Sequence, residues 1–155
     1  MSKSLKRVRA ALGAAGLDAE IRETALARTA RDAADAIGCD VDQIAKSIIF
    51  QGAESGTLFL FLTAGGHAVD MSTAEALAGE GLNRADANTV RARTGFAIGG
   101  VAPIGHLEAP RAFLDSRLLD FPIVWAAAGT PHHVFGLDPT KLARIAGAQI
   151  SDFSS

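Results

Sequence analysis

The stretch SIIFQGAESGTLFLFLT, residues 47–63, decides the fold class. Ser47–Gln51 and Thr57–Thr63 are short runs rich in β-branched, aromatic and leucine side chains, and Gly52–Gly56 links them. Two such runs around a glycine-bounded link predict an antiparallel pair of buried strands. The apolar run ending at Ala64 is far too short to cross a bilayer, which takes about 20 residues of helix.

Working upstream, the period becomes helical. Leu5, Val8 and Leu12 fall on one side of an N-terminal amphipathic helix, and no sustained apolar region marks a signal peptide. Glu20–Ala25 fits a short strand. Thr29 with Asp32 has the spacing of a capping box, Ala30, Ala33, Ala34 and Ile37 follow at helical spacing, and Gly38 is the stop. Asp40 with Gln43 can cap a second helix that turns Val41, Ile44 and Ala45 inward and finishes near Lys46.

Downstream, Ser72 with Glu75 predicts a capped helix to about Ala78. After a polar stretch, Asp86 or Asn88 can cap another helix that ends at Gly95. Phe96–Ile98 leads as a strand into the glycine-rich GGVAPIG, and Arg111–Asp115 reads as an edge strand. Ile123–Ala128 and His132–Leu137 flank Gly129-Thr130-Pro131 and predict a hairpin. Asp138, with Pro139 at the first helical position, opens a last helix with Leu142 and Ile145 inward and Gly147 as its stop. Helices at both ends and between hairpin-like strands give an α+β fold, not a regular βαβ alternation. No repeat or linker divides residues 1–155, so one compact domain is expected.

The chain has 155 residues, 48% hydrophobic and 21% charged, enough for a packed core and incompatible with disorder. Its formal charge of −2 argues against a broad grip on nucleic-acid backbone, so DNA is not an expected partner. The single cysteine, Cys39, fits a reducing, cytoplasmic setting.

The segment Thr94–His106 is the most unusual in the chain. Its glycines let successive backbone N–H groups line one concavity, which can hold a phosphate or a developing oxyanion. It matches neither the phosphate-loop nor the dinucleotide fingerprint, and on spacing alone a structural turn and a ligand loop both stand. Lys46 likewise reads either as a lysine complementing a helix dipole or as a cation at a pocket rim. His132 and His133, adjacent in a strand, point to opposite faces. His67 and His106 lack ligand partners at metal spacing, so neither a metal nor a cofactor is expected. Cys39 suits a small buried hydrophobe better than a nucleophile. With no GxSxG elbow or carboxylate pair, catalysis by a side-chain nucleophile is not indicated.

Three ordered blocks, TARDAADAIGCDVDQIAKSIIF, RTGFAIGGVAPIGH and VWAAAGTPHHVFGLDPTKL, resemble the YbaK/prolyl-tRNA-synthetase-associated editing family, from about Thr29 to about Asp152. The resemblance implies a mixed, barrel-like sheet flanked by helices. It also implies hydrolysis of the ester of a wrongly charged aminoacyl-tRNA, typically tRNA(Pro), at the tRNA acceptor end, with prolyl-tRNA synthetase as a partner. It puts the family lysine on Lys46 and the GxxxP loop on Gly99-Gly100-Val101-Ala102-Pro103. The loop's main chain would hold the aminoacyl carbonyl, and the lysine would position the terminal adenosine. Gly129, Thr130, Pro131 and His132 fall near the pocket, with Thr94 and His106 as lining residues. Ile98, Phe50 and Phe59 join Val101 as candidates for shaping it. A water aided by the substrate's ribose hydroxyl, or the thiol of a mischarged cysteine, would attack. The amino acid removed (Ala, Cys, Ser, Thr or another) stays open. So does the alternative of a non-catalytic aminoacyl-tRNA or synthetase-associated binding module, and that of a hydrolase of small esters or nucleotides.

Overall fold

The computed structural model describes residues 2–155. At its centre lies β3 (Leu58–Ala64), every residue of which is buried. The period-2 alternation of a strand sends Leu60, Leu62 and Ala64 into one core and Phe59 and Phe61 into another. β2 (Ala45–Gly52) pairs antiparallel with β3, with Lys46 opposite Thr63 and Phe50 opposite Phe59.

On its other side β3 pairs in parallel with β5 (Arg111–Asp115), and β5 in parallel with β8 (Ala148–Ser151). β4 (Leu82–Arg84) completes a five-stranded mixed sheet in the order β4-β2-β3-β5-β8. The segment Arg111–Asp115 is therefore an inner strand, a correction to the sequence expectation. Its charged ends found partners: the Arg111 guanidinium lies over the Phe59 and Phe113 rings, and buried Asp115 accepts from the N–H groups of Ala64 and Arg117. The register places Phe61 against Phe113, stacked with centroids 4.9 Å apart, and Leu62 against Leu114. Burying one such ring contributes about 1.5–3 kcal/mol.

A second, antiparallel sheet runs β1-β7-β6, from β1 (Ile21–Glu23), β6 (Val124–Ala127) and β7 (His133–Leu137). The β6–β7 hairpin is where its sequence placed it. The two sheets touch through the Ile44–Trp125 bridge, and among the described residues they do not close into a barrel. The class is α+β, with a mixed sheet flanked by helices.

The helices are α1 (Lys3–Ala14), α2 (Ala30–Ile37), α3 (Met71–Ala78), α4 (Ala87–Thr94) and α5 (Pro139–Ala146). Leu5, Val8 and Leu12 of α1 are buried as the spacing required. Thr29 caps α2, Asp86 caps α4 and Asp138 caps α5. Three local expectations need correction. The helix from Asp40 stops after one 3-10 turn, Val41–Gln43, although its capping box is complete. From Ala45 the chain gains a full ladder with β3 instead, and that tertiary pairing outweighs local helix preference. Lys46 is thus the second residue of a strand, not a helix end. The cap of α3 is Asp70, not Ser72; Glu75 instead accepts from the Leu82 N–H. Finally, Phe96–Ile98 is loop. Among the described residues no helix is long and apolar enough to cross a membrane.

Candidate active site

β4 reaches only Phe50–Gly52 of β2, so the edge from Lys46 to Ile49 carries no strand partner among the described residues. Over that open edge lies a cavity of about 600 Å³, walled by the start of α2, the β6–β7 hairpin, Gly65-Gly66 and the loop around Gly99. A smaller, mostly apolar cavity of about 180 Å³ adjoins it and shares Ser47, Ile48, Ile98, Gly99 and Val101.

Lys46, half-buried, rises from the unpaired edge of β2 into the larger cavity. Its ammonium donates to the carbonyls of Gly65 at 3.2 Å and His67 at 2.5 Å. Gly65 must lack a side chain here, because a Cβ would stand 2.2 Å from the Val41 carbonyl oxygen. Burial pushes the Lys46 amine below the usual lysine range, while the Asp42 and Asp115 carboxylates oppose that fall. Burial would raise the Asp42 carboxyl. The Arg117 guanidinium at 3.0 Å, the Gly66 N–H at 2.9 Å and His67 hold it below its ordinary value. His67 in turn bonds the Ser154 hydroxyl at 2.8 Å, which donates to Asp115. The cation is therefore held in place by a loop that is itself braced.

Opposite stands the glycine loop. Gly99 has φ +93° and nothing within 4 Å of where a Cβ would sit. Neither its N–H nor that of Val101 finds an acceptor among the described residues. The Gly100 N–H, in contrast, donates to the Ala97 carbonyl at 3.0 Å. A Cβ on Gly100 would meet Thr130 Cα at 2.8 Å, so this glycine lets the loop seat directly on the hairpin turn.

Of the residues singled out in the sequence, Lys46, Ile98, Gly99, Val101, Thr130 and Pro131 line the large cavity together. The others stand behind it. Pro103 is buried outside the cavity lining. Thr94 donates to the Val90 carbonyl at 2.6 Å and accepts from the Phe96 N–H, closing α4. Gly129 packs on the Ser4 carbonyl. His106 lies edge-on to Phe96, with its Nε2 buried and unpaired among the described residues. Burial first, and Arg7 second, push its pKa down to about 4, against the Ala102 backbone. His132 is exposed, its N–H donating to Thr130 Oγ1. Phe50 and Ile98 line the small cavity, and Phe59 is buried in the core.

His133 is the residue the sequence reading missed. Its ring bonds Thr130 Oγ1 at 2.7 Å and lines the large cavity. The spacing put both histidines in one strand, but His132 falls in the turn and β7 begins at His133. Arg28, Arg31 and Trp125, also in the wall, carried no spacing signal. Cys39 is half-buried and packs against the cluster under α2, and burial raises its thiol pKa. It makes no part of the cavity.

Residues 24–145 match the profile of the aminoacyl-tRNA editing domain. The uncharacterized protein YwhH of Bacillus subtilis (strain 168) is 31% identical over 79% of this chain and 77% of its own. A crystal structure of a candidate trans-editing enzyme for prolyl-tRNA synthetase superposes with a TM-score of 0.94 at 43% identity, covering 100% of this chain and 99% of that one. The hypothetical protein APE2540 superposes at 0.88 with 25% identity, over 96% of this chain and 99% of its own.

Proposed function

The chain belongs to the aminoacyl-tRNA editing domain family, and from that premise we propose that it is a trans-editing hydrolase. It cleaves the ester of a misacylated tRNA, with tRNA(Pro) the first candidate. The likeness to the candidate prolyl-tRNA trans-editing enzyme supports that choice of tRNA. One observation carries the reading. Lys46, Gly99 and Val101 line the same cavity, and the N–H groups of Gly99 and Val101 have no acceptor among the described residues.

An aminoacyl ester is already activated, so positioning and stabilisation of the developing oxyanion can supply much of the acceleration. The carbonyl oxygen of the ester takes the Gly99 and Val101 N–H groups. Gly100 supports the turn that presents them. Water, aided by the substrate's own ribose hydroxyl, attacks the carbonyl carbon, and the 3′-oxygen of the tRNA leaves. The Lys46 ammonium, fixed by two carbonyls, meets the terminal nucleotide, and Thr130 with His133 gives the polar edge that a ribose requires. In this scheme no step uses Cys39.

The test is a deacylation panel in which the protein is offered tRNA(Pro) charged with Ala, Cys, Ser, Thr and Pro, alongside simple amino-acid esters. Multiple turnover is expected on at least one misacylated tRNA, with Pro-tRNA(Pro) largely spared. Tight binding without release of any amino acid would instead make the chain a binding module.

A further inference from the structure

We propose that Arg28 and Arg31 form the phosphate-binding rim of the large cavity and grip the single-stranded 3′ end of the tRNA acceptor arm. The ligand identity rests on the editing reading above; the anion specificity rests on the charge pattern alone. Every Lys or Arg that lines this cavity, Arg28, Arg31 and Lys46, is a cation without a carboxylate beside it in the wall, because among the described residues no Asp or Glu lines it. That is a strong local bias in a chain with seventeen Asp and Glu against fifteen Lys and Arg.

Arg28 and Arg31 are both exposed, and among the described residues neither side chain is in an ion pair or hydrogen bond. Their place in the helix is also informative. Arg28 precedes the Thr29 cap and Arg31 lies in the first turn of α2, the positive end of the helix dipole, where cations are disfavoured. The last turn of α2, where a cation is favoured, has none. Asp32 partly offsets the pair, its carboxylate accepting from the Arg28 backbone N–H at 3.2 Å. A local rule broken twice at a cavity mouth fits a function better than stability. A phosphate there would meet two guanidinium groups as well as the dipole. Lys46 lies deeper, so the ester end can go in while the preceding phosphates stay at the rim.

The experiment titrates a fluorescein-labelled acceptor-stem hairpin ending in single-stranded ACCA, and the same hairpin without its last three nucleotides. Fluorescence anisotropy is read from about 50 mM to 200 mM salt, the range over which phosphate contacts weaken markedly. The wild type should bind the full hairpin more tightly than the shortened one. Arg28→Gln/Arg31→Gln should weaken binding of the full hairpin roughly ten-fold and lower the salt slope by about 1.4, the value for two phosphates on a single strand. Arg28→Lys/Arg31→Lys should keep most of the affinity, because a point charge still serves a phosphate. Unchanged affinity and slope in the Gln pair, or no preference of the wild type for the ACCA end, would overturn the rim. Because the readout is binding, it separates from the deacylation panel. A rim that binds in a protein that deacylates nothing removes the enzyme reading and leaves this one standing.

Discussion

At the scale of single residues, the site turns on the protonation and anchoring of Lys46. Its amine is held by the Gly65 and His67 carbonyls, and burial keeps its pKa below that of a free lysine. A charge-assisted contact from that ammonium to the terminal nucleotide is stronger than a neutral one, so Lys46→Ala should slow deacylation about 10- to 100-fold while the protein stays folded. The pH sign follows from the direction of the shift. As pH rises, the buried ammonium loses its proton earlier than an exposed lysine does, so kcat/KM should fall on the alkaline side. Lys46→Arg should recover part of the rate and lose that limb, since the guanidinium stays charged. An alkaline limb identical in Lys46→Arg and wild type would assign the titration to another group. The sequence identified Lys46 only through the family block. Spacing alone pointed to a helix end, because the strand ladder that lifts it into the cavity depends on a partner 17 residues away, Thr63.

At the scale of elements, the glycine loop and the β6–β7 turn act as one piece. Gly100 rests on Thr130, whose hydroxyl bonds His133 and accepts from His132. Gly100→Ala has no room, with Thr130 Cα at 2.8 Å, so loop and turn must part and carry the Gly99 and Val101 donors off line. Removal of one such donor costs on the order of 10²–10³ in rate. A loss of about 10²-fold is expected, measured in single turnovers with thermal unfolding on the same preparation. Gly13→Ala is the control: it lies on α1, meets nothing within 4 Å and replaces a poor helix former with the best one. Equal loss of rate in both variants would mean the loop has no special part in the reaction. The capped helices α2, α4 and α5, the central β2–β3 pair and the β6–β7 hairpin were legible because each is signalled within a few residues. β4 and β8 were not. Each is three or four residues long with two exposed residues, and exists by pairing with strands distant in the chain.

At the scale of the whole molecule, the cavity is held from behind by an element outside the matched residues 24–145. α1 buries Leu5, Val8 and Leu12 in the main core, while Arg7 donates to the Gly105 carbonyl at 2.9 Å and lies 4.6 Å over the Phe96 ring. The Ser4 carbonyl supports Gly129. Helix, glycine loop and hairpin turn therefore share one packed contact, and His106 lies within it. Its burial and the nearby Arg7 charge hold its pKa at about 4, below the ordinary 6.5. The folded protein therefore keeps the ring neutral where the unfolded chain takes a proton, so stability falls as pH drops from about 6.5 toward 4. At pH 5 the loss relative to pH 7 should be about 2 kcal/mol, before most carboxylates titrate. Urea unfolding at the two pH values should show that fall in the wild type and much less of it in His106→Gln, whose side chain is neutral throughout. If both proteins weaken equally, the acid sensitivity comes from elsewhere in the chain. If only the wild type does, the same contact that seats the Gly99 loop also sets the acid limit of the fold, and mild acid should loosen the loop before it unfolds the central sheet.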